Sequence, residues 1–256
     1  MLKGATVKSV AREAGADLVG LARVEDYPAG GHIGAPSRFM PGARSIVAFA
    51  VRIPGGALES NSMHLTLRGS MTSMEVVDWV GHRVAGYLED HGALAVAIPT
   101  FIPLPMIPET KGLIAEFSLR HAAQAAGLGV LGRNNLLLTE RFGPRVRLGA
   151  VVTTAELEPD PRAEKVCEEC NTCIDSCPAE ALSDQGFDPF KCIKNLQPIG
   201  LVPAMRFWAG LASKDPEEQK SLIFSPAYWQ LHQSLLVGAS YNCYLCQKVC
   251  PRGRRG

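Results

Sequence analysis

The sequence predicts an α/β chain in two parts: an α/β domain over residues 1–157 and a ferredoxin-like domain with two iron–sulfur clusters over residues 158–256. Three observations lead there. All eight cysteines lie beyond residue 166. They fall into two runs whose spacing suits iron–sulfur clusters. The thiol-free remainder alternates short apolar runs with helical periodicity, as strands and helices sharing a core do.

The first run reads Cys167-Glu-Glu-Cys170-Asn-Thr-Cys173-Ile-Asp-Ser-Cys177-Pro178, a C-x2-C-x2-C-x3-C-P spacing. Three thiolates two residues apart hold one [4Fe–4S] cubane, and in two-cluster ferredoxins the fourth ligates the neighbouring cluster. A second run, Cys243-Tyr-Leu-Cys246-Gln-Lys-Val-Cys250-Pro251, carries Ser240 where its first cysteine would stand. Cys192 is the cysteine left to fill that place. The expected ligand sets are therefore Cys167, Cys170, Cys173 and Cys250 for one cluster, and Cys177, Cys192, Cys243 and Cys246 for the other. Zinc fits less well, because its thiolates usually come as two separated C-x2-C pairs. Disulfides would need an oxidising compartment, and no signal peptide opens the chain.

At 256 residues and a net charge of +1, the chain has length for a sizeable core and no basic stripe. Arg252, Arg254 and Arg255 make only a short basic tail, so a nucleic-acid partner is not expected. No apolar run reaches the roughly 18 residues of a membrane span. Residues 1–12 carry neither an apolar signal core nor a twin-arginine pair. The expectation is a cytoplasmic protein of a well-reduced or anaerobic cell, without membrane contact.

The elements follow in order. Residues 7–14 read as a helix stopped by Gly15, and 16–24 as a buried strand. Residues 28–41 are loop, and Pro41-Gly42 turns into a strand over 45–53. Residues 54–70 read as irregular. Thr72-x-x-Glu75 then forms a capping box ahead of a helix whose Val76, Val80, Val84 and Leu88 make an apolar stripe ended by Gly92. A strand over 93–98 leads into a proline-broken apolar loop over 99–108, a candidate pocket wall.

Residues 114–126 read as a helix. It runs into Gly127-Leu-Gly129-Val-Leu-Gly132, which matches G-x-G-x-x-G by spelling only. A dinucleotide site needs a strand before the glycines and a helix after them, and here the order is helix, then an extended run over 134–139. A strand over 145–157 and a linker over 158–163 complete the first part. Beyond Cys192, about fifty residues read as three helices: 203–213, one opened by Asp215-Pro216, and one opened by Ser225-Pro226. A minimal ferredoxin has no such insertion, so it should pack over a cluster or against the first domain.

Several segments together resemble the shared core of the corrinoid iron–sulfur reductases, the group of epoxyqueuosine reductases and reductive dehalogenases. They are Ala126-Gly-Leu-Gly129-Val-Leu-Gly-Arg133-Asn134-Asn-Leu-Leu-Leu-Thr139, Phe142-Gly-Pro-Arg145-Val-Arg147-Leu-Gly149, Ala16-Asp-Leu-Val-Gly-Leu-Ala22, Pro41-Gly-Ala-Arg44-Ser45-Ile46 and all eight cysteines. The resemblance implies a nitroreductase-like domain that binds cobalamin base-off, packed on a two-[4Fe–4S] ferredoxin-like domain. It implies cobalamin contacts from Gly127, Leu128, Gly129, Gly132, Arg133, Asn134, Thr139 and Arg145, and from the chain around Lys194 and Tyr244. No D-x-H-x-x-G signature of a histidine beneath cobalt is present.

Two departures bear on the substrate. Epoxyqueuosine reductases carry a proton-donating aspartate ahead of the Ala-Gly-Leu-Gly segment, whereas Lys111 to His121 contain none. The helical repeat domain that follows the clusters in many of them has no counterpart in these residues.

The resemblance thus implies a reductase in which a low-potential donor such as ferredoxin or flavodoxin feeds the clusters. These reduce the corrinoid, which acts on a small and possibly halogenated organic substrate. Glu116, His121 and His64 are the candidate acids. The alternatives are a corrinoid-handling or electron-transfer protein without substrate turnover, and an epoxyqueuosine reductase acting on tRNA.

Overall fold

A computed structural model of the chain describes residues 2–30, 33–100, 115–195, 201–236 and 243–253. Helix α1 (Gly4–Glu13) leads into strand β1 (Leu18–Arg23), short helix α2 (Pro36–Phe39) and strand β2 (Ser45–Arg52). Helices α3 (Gly55–Glu59) and α4 (Met63–Asp90), strand β3 (Ala95–Ile98) and helix α5 (Leu119–Ala125) follow. A small hairpin of β4 (Val130–Leu131) and β5 (Leu137–Leu138) precedes strand β6 (Val146–Thr153). The main sheet runs in the order β1-β2-β6-β3, and every neighbouring pair is antiparallel.

Seven of the eight residues of β2 are buried because the sheet is covered on both faces. Alternation along the strands sorts the side chains. Val47, Phe49 and Val51, with Val151, meet Val77, Val80 and Val84 of α4 and Val7 of α1. Ile46, Ala48, Ala150 and Val152 meet the alanine face of α5. Each fully buried Val, Leu or Phe contributes about 1.5–3 kcal/mol, so this double-faced core carries most of the driving force. Gly149 lets α4 lie close: a Cβ there would stand 2.3 Å from Phe49 Cε2 and 2.5 Å from Val77 Cγ1.

The cysteine-bearing part begins at α6 (Thr172–Asp175) and continues through the hairpin β7 (Leu182–Ser183) and β8 (Gly186–Phe187) to α7 (Pro189–Asn195). Helices α8 (Leu201–Leu211), α9 (Pro216–Ile223) and α10 (Pro226–Leu236) form the insertion, and α11 (Leu245–Val249) holds the last cysteines. Asp215 caps α9 by accepting the N–H groups of Glu217 and Glu218 at 3.0 Å, with Pro216 at the first helical position. Tyr228 joins α10 to α8 through the rings of Phe207 and Trp208 at 5.7 and 5.6 Å. A hollow between α10 and the start of α4 is lined by Gln230, Gln233, Ser234, His64, Leu67 and Met71. The insertion therefore lies against the first part.

Five expectations change. The loop expected over 28–41 carries the short helix α2, opened by Pro36 at its first position. Residues 54–70 are not irregular: α3 fills 55–59, and α4 starts nine residues before the Thr72 capping box. Apolar burial of Leu67 and Val77 extends the helix past the local signal, and Glu75 pairs with Arg68 at 3.2 Å instead of capping. Among the described residues of the helix expected over 114–126, helix forms only as α5, entered at Ser118, whose Oγ accepts the His121 N–H. The strand expected over 145–157 stops at Thr153. The linker is anchored, because Asp160 accepts the Leu21 N–H at 2.8 Å and pairs with Lys8. The apolar loop expected over 99–108 lies, past Thr100, outside the described residues.

Candidate metal centre

The loop carrying Cys167, Cys170 and Cys173 is shaped by two left-handed residues, Glu169 at φ 57° and Asn171 at φ 59°. Alternating backbone hands of this kind turn successive N–H groups into one concavity, which favours an anionic guest. Asn171 also opens α6, its carbonyl accepting the N–H groups of Ile174 and Asp175. This short helix carries Cys173 and leads to Cys177.

Cys167, Cys170, Cys173 and Cys250 line one cavity, beside Arg133, Asn134 and Arg252. Cys177, Cys192, Cys243 and Cys246 line a second, of about 340 Å³, beside Met74, Thr100, Arg147 and Tyr244. Asn134 lines both. Among the described residues, no three His, Cys, Asp or Glu side chains converge as a single ion requires. Tetrahedral zinc draws all four ligand atoms to about 2.0–2.3 Å from one centre. The cysteines of each quartet instead share the lining of one cavity.

The electrostatics follow the same grouping at Cys173 and Cys192, while Cys246 is influenced from both quartets. Burial pushes the Cys173 thiol up, and the facing Cys250, Cys167 and Cys170 add to it. Burial pushes Cys192 up, reinforced by Cys243 and Cys177. Cys246 is pushed up to about 12 by burial, with Cys243, Cys192 and, from the first quartet, Cys173 contributing. Thiols so placed ionise readily only when iron or another metal cation bonds to the sulfur, the ordinary condition for a metal ligand.

Donors meanwhile face sulfur: Thr172 Oγ1 donates to Cys170 Sγ at 3.3 Å and Ala181 N to Cys177 Sγ at 3.4 Å. Arg252, one of the residues lining the first cavity, has its Nε buried without a hydrogen-bond acceptor. A sulfide-rich anionic cluster fits that donor set.

The stretch from Arg133 to Arg147 ties both cysteine runs to the sheet. Arg133 donates to Asn171 and pairs with Asp184. Arg145, buried, donates to the carbonyls of Cys250 at 2.5 Å and Arg252 at 2.6 Å. Gln247 Nε2 donates to the Pro144 carbonyl at 2.9 Å. Arg147 donates to Ser70 Oγ, and its guanidinium lies 5.8 Å from the Tyr244 ring centroid.

Of the residues expected to contact cobalamin, Asn134 and Tyr244 line the second cavity and Arg133 the first. The glycines have other reasons to be glycine. A Cβ on Gly129 would stand 2.1 Å from the Leu138 carbonyl oxygen across the hairpin, and one on Gly127 2.2 Å from that of Pro161. Gly132 packs under the Leu138 side chain, where a Cβ would stand 2.3 Å from Leu138 Cδ1. Gly127, Leu128 and Gly129 border a separate surface hollow with Arg12 and Arg141. Thr139 is buried and bonded to Phe142 and Gly143, which closes the turn after β5. Lys194 lies in α7.

The three candidate acids do not meet at either cysteine cavity. Glu116 pairs with Arg38 at 2.9 Å, His121 bonds Ser118 Oγ at 2.8 Å, and His64 faces α10. Burial, aided by Arg120, holds His121 below the ordinary histidine range. Sequence reasoning missed Thr100, Arg147 and Arg252. Arg147 stood inside a quoted motif, and Arg252 follows Cys250-Pro251 directly.

No family model matches the chain. An epoxyqueuosine reductase of Bacillus cereus is 30% identical over 223 residues, 86% of this chain and 50% of that protein. A tetrachloroethene reductive dehalogenase of Desulfitobacterium hafniense is 49% identical over 80 residues, 30% of this chain and 14% of that protein. The chain is a relative of the epoxyqueuosine reductases and reductive dehalogenases. It spans about half the length of the curated epoxyqueuosine reductase it matches.

Solved structures show the same mixed α/β fold. An epoxyqueuosine reductase with a modified tRNA stem loop superposes with a TM-score of 0.61 at 20% identity, covering 97% of this chain and 64% of that one. A reductive dehalogenase for which a B12-dependent mechanism was suggested gives 0.62 at 18%, covering 97% and 32%. Among the described residues no helix is long and apolar enough to cross a membrane.

Proposed function

We propose that the chain is an oxidoreductase with a nitroreductase-like part over residues 1–157 and a two-[4Fe–4S] ferredoxin-like part over 158–256. It serves a base-off corrinoid that reduces a small organic substrate, halogenated compounds among the candidates. The grouping of the cysteines supports the clusters: two quartets, each around its own cavity. The exposed Cys170 makes the first quartet the natural entry for electrons from a ferredoxin- or flavodoxin-like donor.

One observation carries the functional reading. The second cavity is walled by a cysteine quartet and also by Met74, Thr100 and Arg147 of the first part. An electron leaving that quartet therefore meets the α/β part next.

The corrinoid, when bound, supplies the redox chemistry at cobalt, and the B12-dependent dehalogenase sharing this fold supports its choice. Asn134 and Arg147 shape the wall, with Arg147 held by Ser70. Thr100 donates its hydroxyl proton to Asp78, an exposed carboxylate on α4, and so links the cavity to solvent protons. These two residues replace Glu116, His121 and His64 as our candidates for proton supply.

A second reading, epoxyqueuosine reduction in tRNA, is favoured by the extent of the match to the Bacillus cereus enzyme. The net charge of +1 gives it little phosphate affinity to work with. The test is anaerobic reconstitution with iron, sulfide and cobalamin, followed by reduction with a low-potential donor. The holoprotein is then offered a panel of halogenated small molecules and, separately, epoxyqueuosine-containing tRNA. Turnover of a small molecule is expected. Efficient conversion of the tRNA would overturn the substrate class, and reduction of cobalt without turnover would leave a corrinoid-handling protein.

A further inference from the structure

Arg252 stands where no sequence motif asks for an arginine, and its position is fixed from several sides. Its carbonyl accepts Arg145 Nη1 at 2.6 Å. Its Nη2 pairs with Glu168 Oε1 at 2.7 Å. Its backbone lies so close to Gly143 that a Cβ there would come within 2.0 Å of the Arg252 carbonyl oxygen. Gly253 follows with φ +68° and packs against the backbone of Phe142. A residue clamped at its backbone and at one end of its guanidinium has little freedom to turn the remaining donor elsewhere.

That remaining donor is Nε. Among the described residues it is the side-chain nitrogen or oxygen that is buried without a partner. The Arg252 side chain as a whole is 42% exposed, so its charge is solvated, but Nε itself is shut off from solvent, and native proteins rarely leave such a donor unmatched. Arg252 stands between two hollows, lining the cavity of Cys167, Cys170, Cys173 and Cys250 and also the surface hollow beside Gly127 and Arg141. A cluster in the cysteine cavity would present sulfide and thiolate acceptors carrying net negative charge.

We propose that Arg252 sets the reduction potential of the cluster held by Cys167, Cys170, Cys173 and Cys250, its Nε–H donating to a cluster or cysteinyl sulfur. This rests on the cluster reading above and adds a residue to it. Uptake of one electron from an external one-electron reductant makes the cluster one unit more negative, with no bond broken and no group released. A fixed cation and an N–H donor stabilise that added charge, so they raise the potential; hydrogen bonds to the sulfurs are an established lever on it. The neighbouring Glu168 opposes the effect. The first cluster would accordingly accept electrons from the donor more readily than its thiolate ligands alone allow.

The experiment is a redox titration of the anaerobically reconstituted full chain, followed by electron paramagnetic resonance, with dithionite as reductant. In Arg252→Leu, one of the two clusters should become harder to reduce by roughly tenfold in equilibrium, which is 59 mV for one electron. The other cluster and the iron content should stay unchanged. Arg252→Lys keeps the charge without the planar donor and should shift less, while Glu168→Gln should shift the same cluster the other way.

If Arg252→Leu sheds iron, Arg252→Gln, which keeps side-chain N–H groups but no charge, reads the charge contribution. Full iron with both potentials unchanged in Arg252→Leu overturns the proposal, as does loss of iron from every Arg252 variant. A wild-type chain that gives no cubane signal overturns the cluster reading itself and the proposal with it.

Discussion

Arg145→Met should free the end of the C-terminal cysteine run, at Cys250 and Arg252, from the sheet, while Gln247 still holds α11 to the Pro144 carbonyl. In the folded chain Arg145 is buried and donates to the Cys250 carbonyl at 2.5 Å and the Arg252 carbonyl at 2.6 Å; the Lys248 carbonyl, at 3.3 Å, is a weaker acceptor. A hydrogen bond from a charged donor contributes about 1.5–3 kcal/mol net. Two good ones therefore amount to about 3–6 kcal/mol, and the third adds little. That is a large part of the roughly 5–15 kcal/mol that holds a domain together. At about 2–4 °C per kcal/mol for a chain of this length, Tm should fall by roughly 10–20 °C.

The loss should also be local. Cys250 belongs to the first quartet, so the variant should retain the second cluster better than the first. Thermal denaturation by circular dichroism, with iron analysis of the same reconstituted sample, measures both effects. Arg145→Lys should recover only part of the loss, because one ammonium cannot reach both carbonyls with the geometry of a guanidinium. A Met variant with wild-type Tm and full iron would refute the reasoning.

Further outcomes follow from other contacts. Cys192→Ser should lose the cluster of Cys177, Cys243 and Cys246 and spare the other, halving an iron content of about eight per chain; equal loss from both would break the ligand assignment. Gly149→Ala pushes a methyl into Phe49 and Val77 and should cost about 1–3 kcal/mol, read as a lower urea midpoint with an unchanged slope. His121 is held below the ordinary range by burial, so the unfolded chain binds more protons than the folded one below about pH 6.5. Stability should be full above that pH and fall as acid is added toward the folded-state value, and His121→Gln should flatten this limb. An identical pH dependence in the variant would remove His121 as its source.

Local chemistry made much of the chain legible. Proline and glycine punctuate it at Pro41-Gly42, Pro216 and Pro226. The valine stripe of α4 shows its core-facing side by period alone, and the short continuous apolar run of β2 gives a strand without reference to any partner. The same rule rejected the dinucleotide reading of Gly127 to Gly132, since a helix before the glycines and a hairpin after them offer no helix N-terminus to a pyrophosphate.

Tertiary structure decided what no local window contains. The start of α4 at Met63 depends on Leu67 and Thr66 finding buried partners, not on the capping signal at Thr72. Gly129 is glycine because the Leu138 carbonyl occupies its Cβ position, a contact set by the hairpin and invisible along the chain. Arg145 belongs with the cysteine runs because three carbonyls more than a hundred residues away accept its donors. Thr100 and Asp78, twenty-two residues apart, meet at a cavity wall that exists only after α4 packs across the sheet. The sequence by itself determined which residues could ligate a cluster, since cysteine identity and spacing are local properties. Which of them share a cavity, and which arginines stand beside it, is decided by burial and long-range hydrogen bonds, which only the folded chain brings together.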